Sequence, residues 1–242
     1  MDIAAHIDAL EHEGAELGKA AAVAALGDPV PGCPDWTVRD LVRHVGYVHR
    51  WAGEIIAGRL DGAGGDGDAA VGPLPDDEGL SEWYVEGHRT LVGILRNAPA
   101  DVACFTFLPA PSPLAFWARR QALETAVHRA DASAAAGRAV EFSDDLAHDG
   151  IDETLRGFGA RPRAFEPGSI WLQPGDGPSW RIDLHEEGLT AATDAPATGC
   201  DVTVSGTPSQ VYLWLWNRPA TVEITGEPAV AERWKRVRVR WS

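Results

Sequence analysis

Cysteine is scarce in this chain. Cys33, Cys104 and Cys200 are an odd number at wide spacing, with no Cys-x-x-Cys, so neither a disulfide framework nor a thiolate zinc site is indicated. A reducing cytoplasm is the expected location. Basic charge is also short: Lys and Arg total 21 against 36 Asp and Glu, a net charge of −15. Such a surface repels phosphate backbones and anionic lipid, which disfavours nucleic acid and membrane as partners. The one basic run, Arg233, Lys235, Arg236, Arg238 and Arg240, is flanked by Val237, Val239 and Trp241 and reads as a solvated face. No apolar stretch approaches the roughly 18 residues of a membrane span. The opening Met1, Asp2, Ile3 lacks the basic and apolar regions of a signal peptide, so a soluble, unprocessed protein is expected. No internal repeat is visible.

Apolar material, by contrast, is ample. Hydrophobic residues make up 45% of the 242 and include ten Trp, enough to exclude wholesale disorder. The length favours two modest domains. Ile3, Ile7, Leu10, Gly14, Leu17, Ala21 and Ala24 alternate spacings of four and three, lining one face of a first helix that stops near Gly27. Pro29 to Pro34 cannot be helical. Thr37, followed three residues later by Asp40, caps a second helix from about Val38 to Ala57, with Val38, Leu41, Val45, Val48, Ala52 and Ile55 as its stripe. Asp61 to Gly79 is rich in Gly, Pro and Asp, loses periodicity and reads as a mobile loop. Ser81 is the expected cap of a third helix ending before Pro99. After Pro109, Pro111 and Pro113 a fourth runs from about Leu114 to Ala136, with Phe116, Leu123, Val127, Ala130 and Ala134 inward. Four amphipathic helices make a bundle.

The pattern changes after Gly137. Ser143 caps one more helix to about Phe158, and beyond it Ile170 and Leu172, then Trp180, Ile182 and Leu184, alternate at period two around Pro174 to Pro178, a hairpin. Strands at Asp201 to Ser205 and Thr221 to Thr225 flank a helix opened by Thr207 as cap and Pro208 at its first position. The expected fold class is α+β in two domains: a four-helix bundle over residues 1–140 and a small α/β domain over 141–242.

Glu124 and His128 stand four apart, so on a helix they share a face and can reach one ion. Spacing alone fits a surface ion pair equally well. On the helical wheel, however, Arg120, Glu124, His128 and Asp131 fall in one sector bordering the apolar stripe, and buried charges need partners or a metal. The second helix offers His44 and His49 at opposite edges of its stripe, and geometry does not choose between them. Two imidazoles and a carboxylate hold zinc with one coordination position open, the mark of catalytic rather than structural sites. Cys33 reads as a small structural hydrophobe, and Trp36 and Trp51 read as core aromatics rather than a substrate box. Gly62 to Gly67 lacks the flanking strand and Lys-Ser/Thr of a phosphate loop.

The stretches PVPGCPDWTVRDLVRHVGYVHRWA, Pro29 to Ala52, and WARRQALETAVHRADA, Trp117 to Ala132, resemble the two signature segments of the mycothiol-dependent maleylpyruvate isomerase family. The resemblance implies a DinB-like N-terminal bundle with zinc, or another divalent metal, held by His44, Glu124 and His128. More loosely it extends over about Glu141 to Trp241 as the family's C-terminal α/β domain, with the family's essential arginine corresponding to Arg218. From its position at a helix end, Arg218 equally fits a residue complementing the helix dipole. Of the 21 basic residues 19 are Arg, a usage resembling proteins of GC-rich actinobacteria, where mycothiol is the cytosolic thiol.

The implied activity is a zinc-dependent enzyme that applies mycothiol thiolate to an electrophilic small molecule. The outcome is either cis–trans isomerisation of a maleylpyruvate-like diacid or S-transfer. Asp131 or Arg120 would orient the ligands and Arg218 would bind a substrate carboxylate. A non-catalytic metal or thiol-binding module and a zinc-dependent hydrolase of a thiol conjugate are the alternatives.

Overall fold

The computed structural model describes residues 1–61, 67–159, 164–193 and 195–236. It divides into two compact units, Met1–Val140 and Glu141–Ser242. In the first, α1 (Ile3–Val23), α2 (Val38–Ile56), α4 (Leu80–Asn97) and α5 (Pro113–Ala135) are the long helices, joined by a small hairpin of β1 (Pro29–Val30) and β2 (Cys33–Thr37) and a short α3 (Gly67–Val71). α1 packs on α4 and α5, and α2 packs on the same two, which closes a four-helix bundle. Among the described residues no helix is long and apolar enough to cross a membrane.

Helix ends follow local hydrogen-bonding chemistry. At α2 the expected cap is a full capping box: the Thr37 N–H donates to Asp40 Oδ2 at 2.9 Å and the Asp40 N–H to Thr37 Oγ1 at 3.4 Å, satisfying donors the helix cannot use. α1 ends at Val23, short of Gly27, because Asp28 takes the Ala25 N–H on its side chain while its carbonyl and that of Leu26 accept from Val38 and Arg39. Ser81 is not the cap of α4. That helix starts at Leu80, which is 1% exposed, with Gly79 at the cap position and Asp76 Oδ1 accepting the Gly79 N–H. α5 is capped by Ser112, whose Oγ accepts from Ala115 at 3.2 Å.

The Asp61 to Gly79 segment is not structureless throughout, since it contains α3. Its far end is tied to α2: Arg39 donates twice to Asp77, at 2.6 and 2.7 Å, and Arg43 to the Pro75 carbonyl at 3.1 Å. Residues 62–66 lie outside the described residues. α2 and α4 approach closely at Gly46, where an added Cβ would come within 2.2 Å of the Trp83 ring.

The second unit opens with α6 (Asp144–Asp152), continued by a π-helical stretch over Glu153–Phe158. Its sheet has strands β3 (Gly168–Pro174), β4 (Trp180–His185), β5 (Gly188–Thr193), β6 (Val202–Gly206) and β7 (Glu223–Gly226), in the order β5-β4-β3-β6-β7. All neighbours are antiparallel except β3 with β6. That parallel pairing needs a crossover, and β4 and β5 fill it. The expected hairpin at Ile170 to Leu184 is present, pairing Ile170 with Ile182 and Leu172 with Trp180, whereas β5 was not anticipated: its Leu-Thr-Ala-Ala core has too little apolar contrast to show a period of two.

α7 (Pro208–Leu215) carries the Thr207–Gln210 capping box and Pro at its first position, and α8 (Pro228–Lys235) packs with β3, β6 and β7. The described part of the basic run is ion-paired on the surface: Arg233 and Arg236 with Glu166, Lys235 with Glu232. Arg238, Arg240 and their apolar neighbours lie outside the described residues.

Candidate metal centre

The interior of the first unit is unusually polar on one helix. α5 buries Arg120, Gln121, Glu124, Thr125, His128, Asp131 and Ser133 alongside its apolar residues. Charged side chains at such depth persist only when each is paired or ligating. Glu124 is the hub of the arrangement. Its Oε2 accepts from Arg120 Nη2 at 2.8 Å, while its Oε1 lies 3.2 Å from His128 Nε2 on the same helix and 3.5 Å from His44 Nε2 on α2. His128 is held from behind, its Nδ1 at 2.9 Å from Asp131 Oδ2, which also accepts from the Cys33 thiol at 3.7 Å.

Electrostatics reinforce the geometry. Burial by itself would raise the Glu124 pKa, but hydrogen bonds from His128 and His44 and the charge of Arg120 together outweigh it and hold the carboxyl well below its ordinary value. Burial would likewise lower the His128 pKa, yet the Asp131 and Glu124 carboxylates outweigh it and raise it. An ionised carboxylate thus faces two imidazole nitrogens, and the positive charge it attracts can be supplied by protons or by a metal that displaces them.

The donor set fits such an ion. His44, Glu124 and His128 offer one ligand atom each, all within 4.8 Å of one another. Two atoms at zinc-ligand distances of about 2.0–2.2 Å on a tetrahedral ion stand about 3.3–3.5 Å apart, and the two N···O separations of 3.2 and 3.5 Å match. Asp131 engages Nδ1 of His128 and so leaves Nε2 for the centre. Cys33 contributes no ligand atom to the group, so three protein ligands leave a position for an exogenous one.

Family models corroborate the two-part architecture: the mycothiol maleylpyruvate isomerase N-terminal domain matches residues 7–133, and the MDMPI C-terminal domain matches residues 145–233. The chain belongs to the mycothiol-dependent maleylpyruvate isomerase family. Two solved structures share the fold of this family member. One, described as the mycothiol-dependent maleylpyruvate isomerase, aligns with a TM-score of 0.63 at 12% identity, covering 94% of this chain and 95% of its own. The other, a His-to-Ala variant of a protein with that description, aligns with a TM-score of 0.65 at 13% identity with the same coverage. Among curated proteins none matches.

Within this maleylpyruvate isomerase family member, the two α2 histidines stand in different surroundings. His44 joins Glu124 and His128, whereas His49 is fully buried elsewhere, with Nε2 at 2.9 Å from Thr125 Oγ1. Burial holds His49 well below the ordinary histidine pKa. Neighbouring His88, with ring centroids 5.5 Å apart, pushes the same way, as do Arg50 and His128, while Glu124 opposes. Burial lowers His88 too.

Both rings are therefore neutral in the folded protein at pH values where the unfolded chain, titrating near 6.5, takes up protons. The contribution of these two histidines to stability accordingly falls as pH drops below about 6.5. In apo protein, the melting temperature of His49→Gln is expected to decline less steeply than wild type between about pH 6.5 and 5. Parallel declines in a calorimetric pH series would show that His49 is not held neutral.

Two residues that the sequence assigns to packing also border the centre. Trp36, read as a core aromatic, does pack half-buried against an apolar cluster of the bundle that includes Leu17, Val38 and Leu41, and its ring also lies 4.8 Å from His44 and 5.9 Å from His128 between centroids. Cys33, read as a structural hydrophobe, packs half-buried against the same cluster and also contacts Asp131. The available signal was position: both lie in the Pro-rich segment that feeds directly into the α2 cap, outside any apolar stripe. Trp51 does pack into the apolar cluster, edge-to-face on Trp117 at 5.4 Å.

Arg218 lies in the second unit, where α7 ends in a Schellman motif. Asn217 takes the left-handed conformation (φ 56°), the Arg218 N–H donates to the Leu213 carbonyl at 2.9 Å, and the Asn217 N–H donates to that of Trp214 at 3.0 Å. The Arg218 guanidinium donates to the Trp216 carbonyl at 2.9 Å, the helix-terminal arrangement that favours a cation.

Proposed function

We propose that the protein is a metal-dependent enzyme that uses mycothiol as thiol cosubstrate to isomerise a maleylpyruvate-like conjugated diacid about its double bond. The observation that carries the reading is the convergence of His44, Glu124 and His128 on one point, with a position left open, in a chain of this family. Zinc suits the two nitrogen donors and one oxygen donor. When bound, the ion supplies a Lewis acid that lowers the pKa of a coordinated thiol, so that sulfur is available as thiolate at neutral pH to add to an activated alkene and leave again.

The chain's own residues prepare that chemistry. Asp131 fixes the tautomer of His128 by accepting its Nδ1–H, which leaves Nε2 as a lone-pair donor. Arg120, 0% exposed, balances the Glu124 charge and orients the carboxylate so that Oε1 faces the histidines. One carboxylate and two neutral imidazoles leave a divalent ion a net positive charge, which favours an anionic sulfur over a neutral ligand. Arg218 is our candidate for binding a substrate carboxylate, supported by the family resemblance and by the suitability of a guanidinium for bidentate carboxylate recognition.

The test is metal analysis of the purified protein, followed by calorimetric titration with mycothiol before and after chelation, and an assay with maleylpyruvate. Tight thiol binding that disappears with the chelator, together with isomerisation, is the expected result. Stoichiometric zinc without thiol binding would overturn the reading. Thiol binding without turnover would reduce the protein to a binding module, and thiol consumption in proportion to product would make it an S-transferase.

A further inference from the structure

The two histidines of the centre are supported unequally. His128 has the orienting partner usual for a metal-ligating imidazole, a carboxylate on the nitrogen that does not face the centre. His44 has none: among the described residues its hydrogen bonding consists of Nε2 with Glu124, and its Nδ1 makes no hydrogen bond to any of them. Its side chain is also the more exposed, 28% against 7% for His128, so water and side-chain entropy both act to loosen it. Instead of a hydrogen bond, His44 has rings on two sides. Trp36 is tilted against it at 4.8 Å and 52°, and His128 meets it edge-on at 5.0 Å and 75°. Trp36 also stacks on His128, at 5.9 Å and 22°.

We infer that Trp36 is the positioning residue of the centre, doing for His44 by packing what Asp131 does for His128 by hydrogen bonding. The inference rests on the metal reading above and deepens it. Trp36 is well placed for the task, because the strand carrying it ends at Thr37, which is also the cap of the helix carrying His44. Indole and imidazole are thereby referenced to one rigid junction. The same hairpin touches the other histidine's support as well, through Cys33 and Asp131.

Tilted aromatic pairs contribute about twofold to tenfold in an equilibrium constant, and loss of an orienting partner costs metal affinity about 10- to 100-fold. The ranges meet on the order of tenfold. Zinc affinity is measured by chelator competition on wild type, Trp36→Ala, Trp36→Leu and Trp36→Phe, well below their melting temperatures, alongside the visible spectrum of each cobalt-loaded protein. Trp36→Ala and Trp36→Leu are expected to bind zinc on the order of tenfold more weakly with an altered cobalt spectrum, and Trp36→Phe to recover most of the affinity.

A merely structural indole would lower the apo melting temperature and leave the affinity of the folded protein and the cobalt spectrum unmoved, which would overturn the inference. Trp36→Leu keeps apolar bulk on the hairpin and decides the matter if Trp36→Ala does not fold. Wild type that binds no zinc or cobalt would instead sink the metal reading itself. Metal-binding wild type with unaffected Trp36 variants would sink this inference alone.

Discussion

His44→Ala is expected to be purified as a folded protein without stoichiometric metal and without isomerase activity. Of the three proposed ligands it is the cleanest to remove. Its side chain is partly exposed, and its hydrogen bond to Glu124 is the longer of the two imidazole contacts. The apolar stripe of α2, including Leu41, Val45, Ala52 and Ile55, is untouched and fully buried. Glu124→Ala is the less clean experiment, because it removes the buried carboxylate that accepts from Arg120, and breaking a buried pair costs about 3–5 kcal/mol. The loss of zinc affinity in His44→Ala should exceed the roughly 10- to 100-fold that removal of an orienting partner costs. Metal analysis with circular dichroism checks both halves of the expectation, and retained stoichiometric zinc in the folded variant would refute the assignment of His44.

Arg129→Ala is expected to destabilise the first unit severely, by about 3–5 kcal/mol, or roughly 10–17 °C in melting temperature for a unit of this size. Arg129 on α5 donates to both oxygens of Glu13 on α1, at 2.9 and 2.8 Å, and Glu13 is 3% exposed. Even with that guanidinium in place, desolvation outweighs its hydrogen bonds and charge and raises the Glu13 pKa. Without Arg129 the carboxyl rises further.

A carboxyl whose folded pKa lies above its unfolded value holds its proton more tightly in the native state. Its penalty is therefore absent below the unfolded pKa, near 4.5, and grows as pH rises through the folded pKa. The variant should accordingly lose less stability at about pH 5 than at pH 8. The double variant Glu13→Leu with Arg129→Met, which removes both charges and keeps the volume, should recover most of the loss. A melting temperature for Arg129→Ala within about 2 °C of wild type at pH 8 would show the pair to be dispensable.

The two buried pairs are not equally visible in the sequence. Glu124 and His128 are four apart on one helix, and their shared face follows from helical geometry alone. Glu13 and Arg129 are 116 residues apart, and no local period connects them. The same distinction runs through the fold. Thr37 with Asp40, Thr207 and Ser143 as caps, the stripe of α2 and the alternation of β3 and β4 were all legible, because each depends on residues within one turn or one hairpin. Gly79 at the start of α4 was not, because burial of Leu80 decided the helix boundary over the side-chain chemistry of Ser81. The β1–β2 hairpin was not either, since Cys-Pro-Asp-Trp-Thr has no apolar alternation and takes its shape from the antiparallel pairing of Pro29 with Thr37 and Val30 with Cys33.

Helical and strand periodicity, caps and signature segments thus determined the order of the long helices, the bundle followed by an α/β unit, and the family. They also placed Glu124 and His128 on one face. Periodicity says which side of a helix turns inward but not what meets it there. That His44 rather than His49 joins the carboxylate, that Asp131 and Arg120 secure opposite sides of the centre, and that Trp36 stands against both imidazoles were decided only by the packing of α2, α5 and the hairpin, since side-chain contact between distant segments is a property of the assembled bundle.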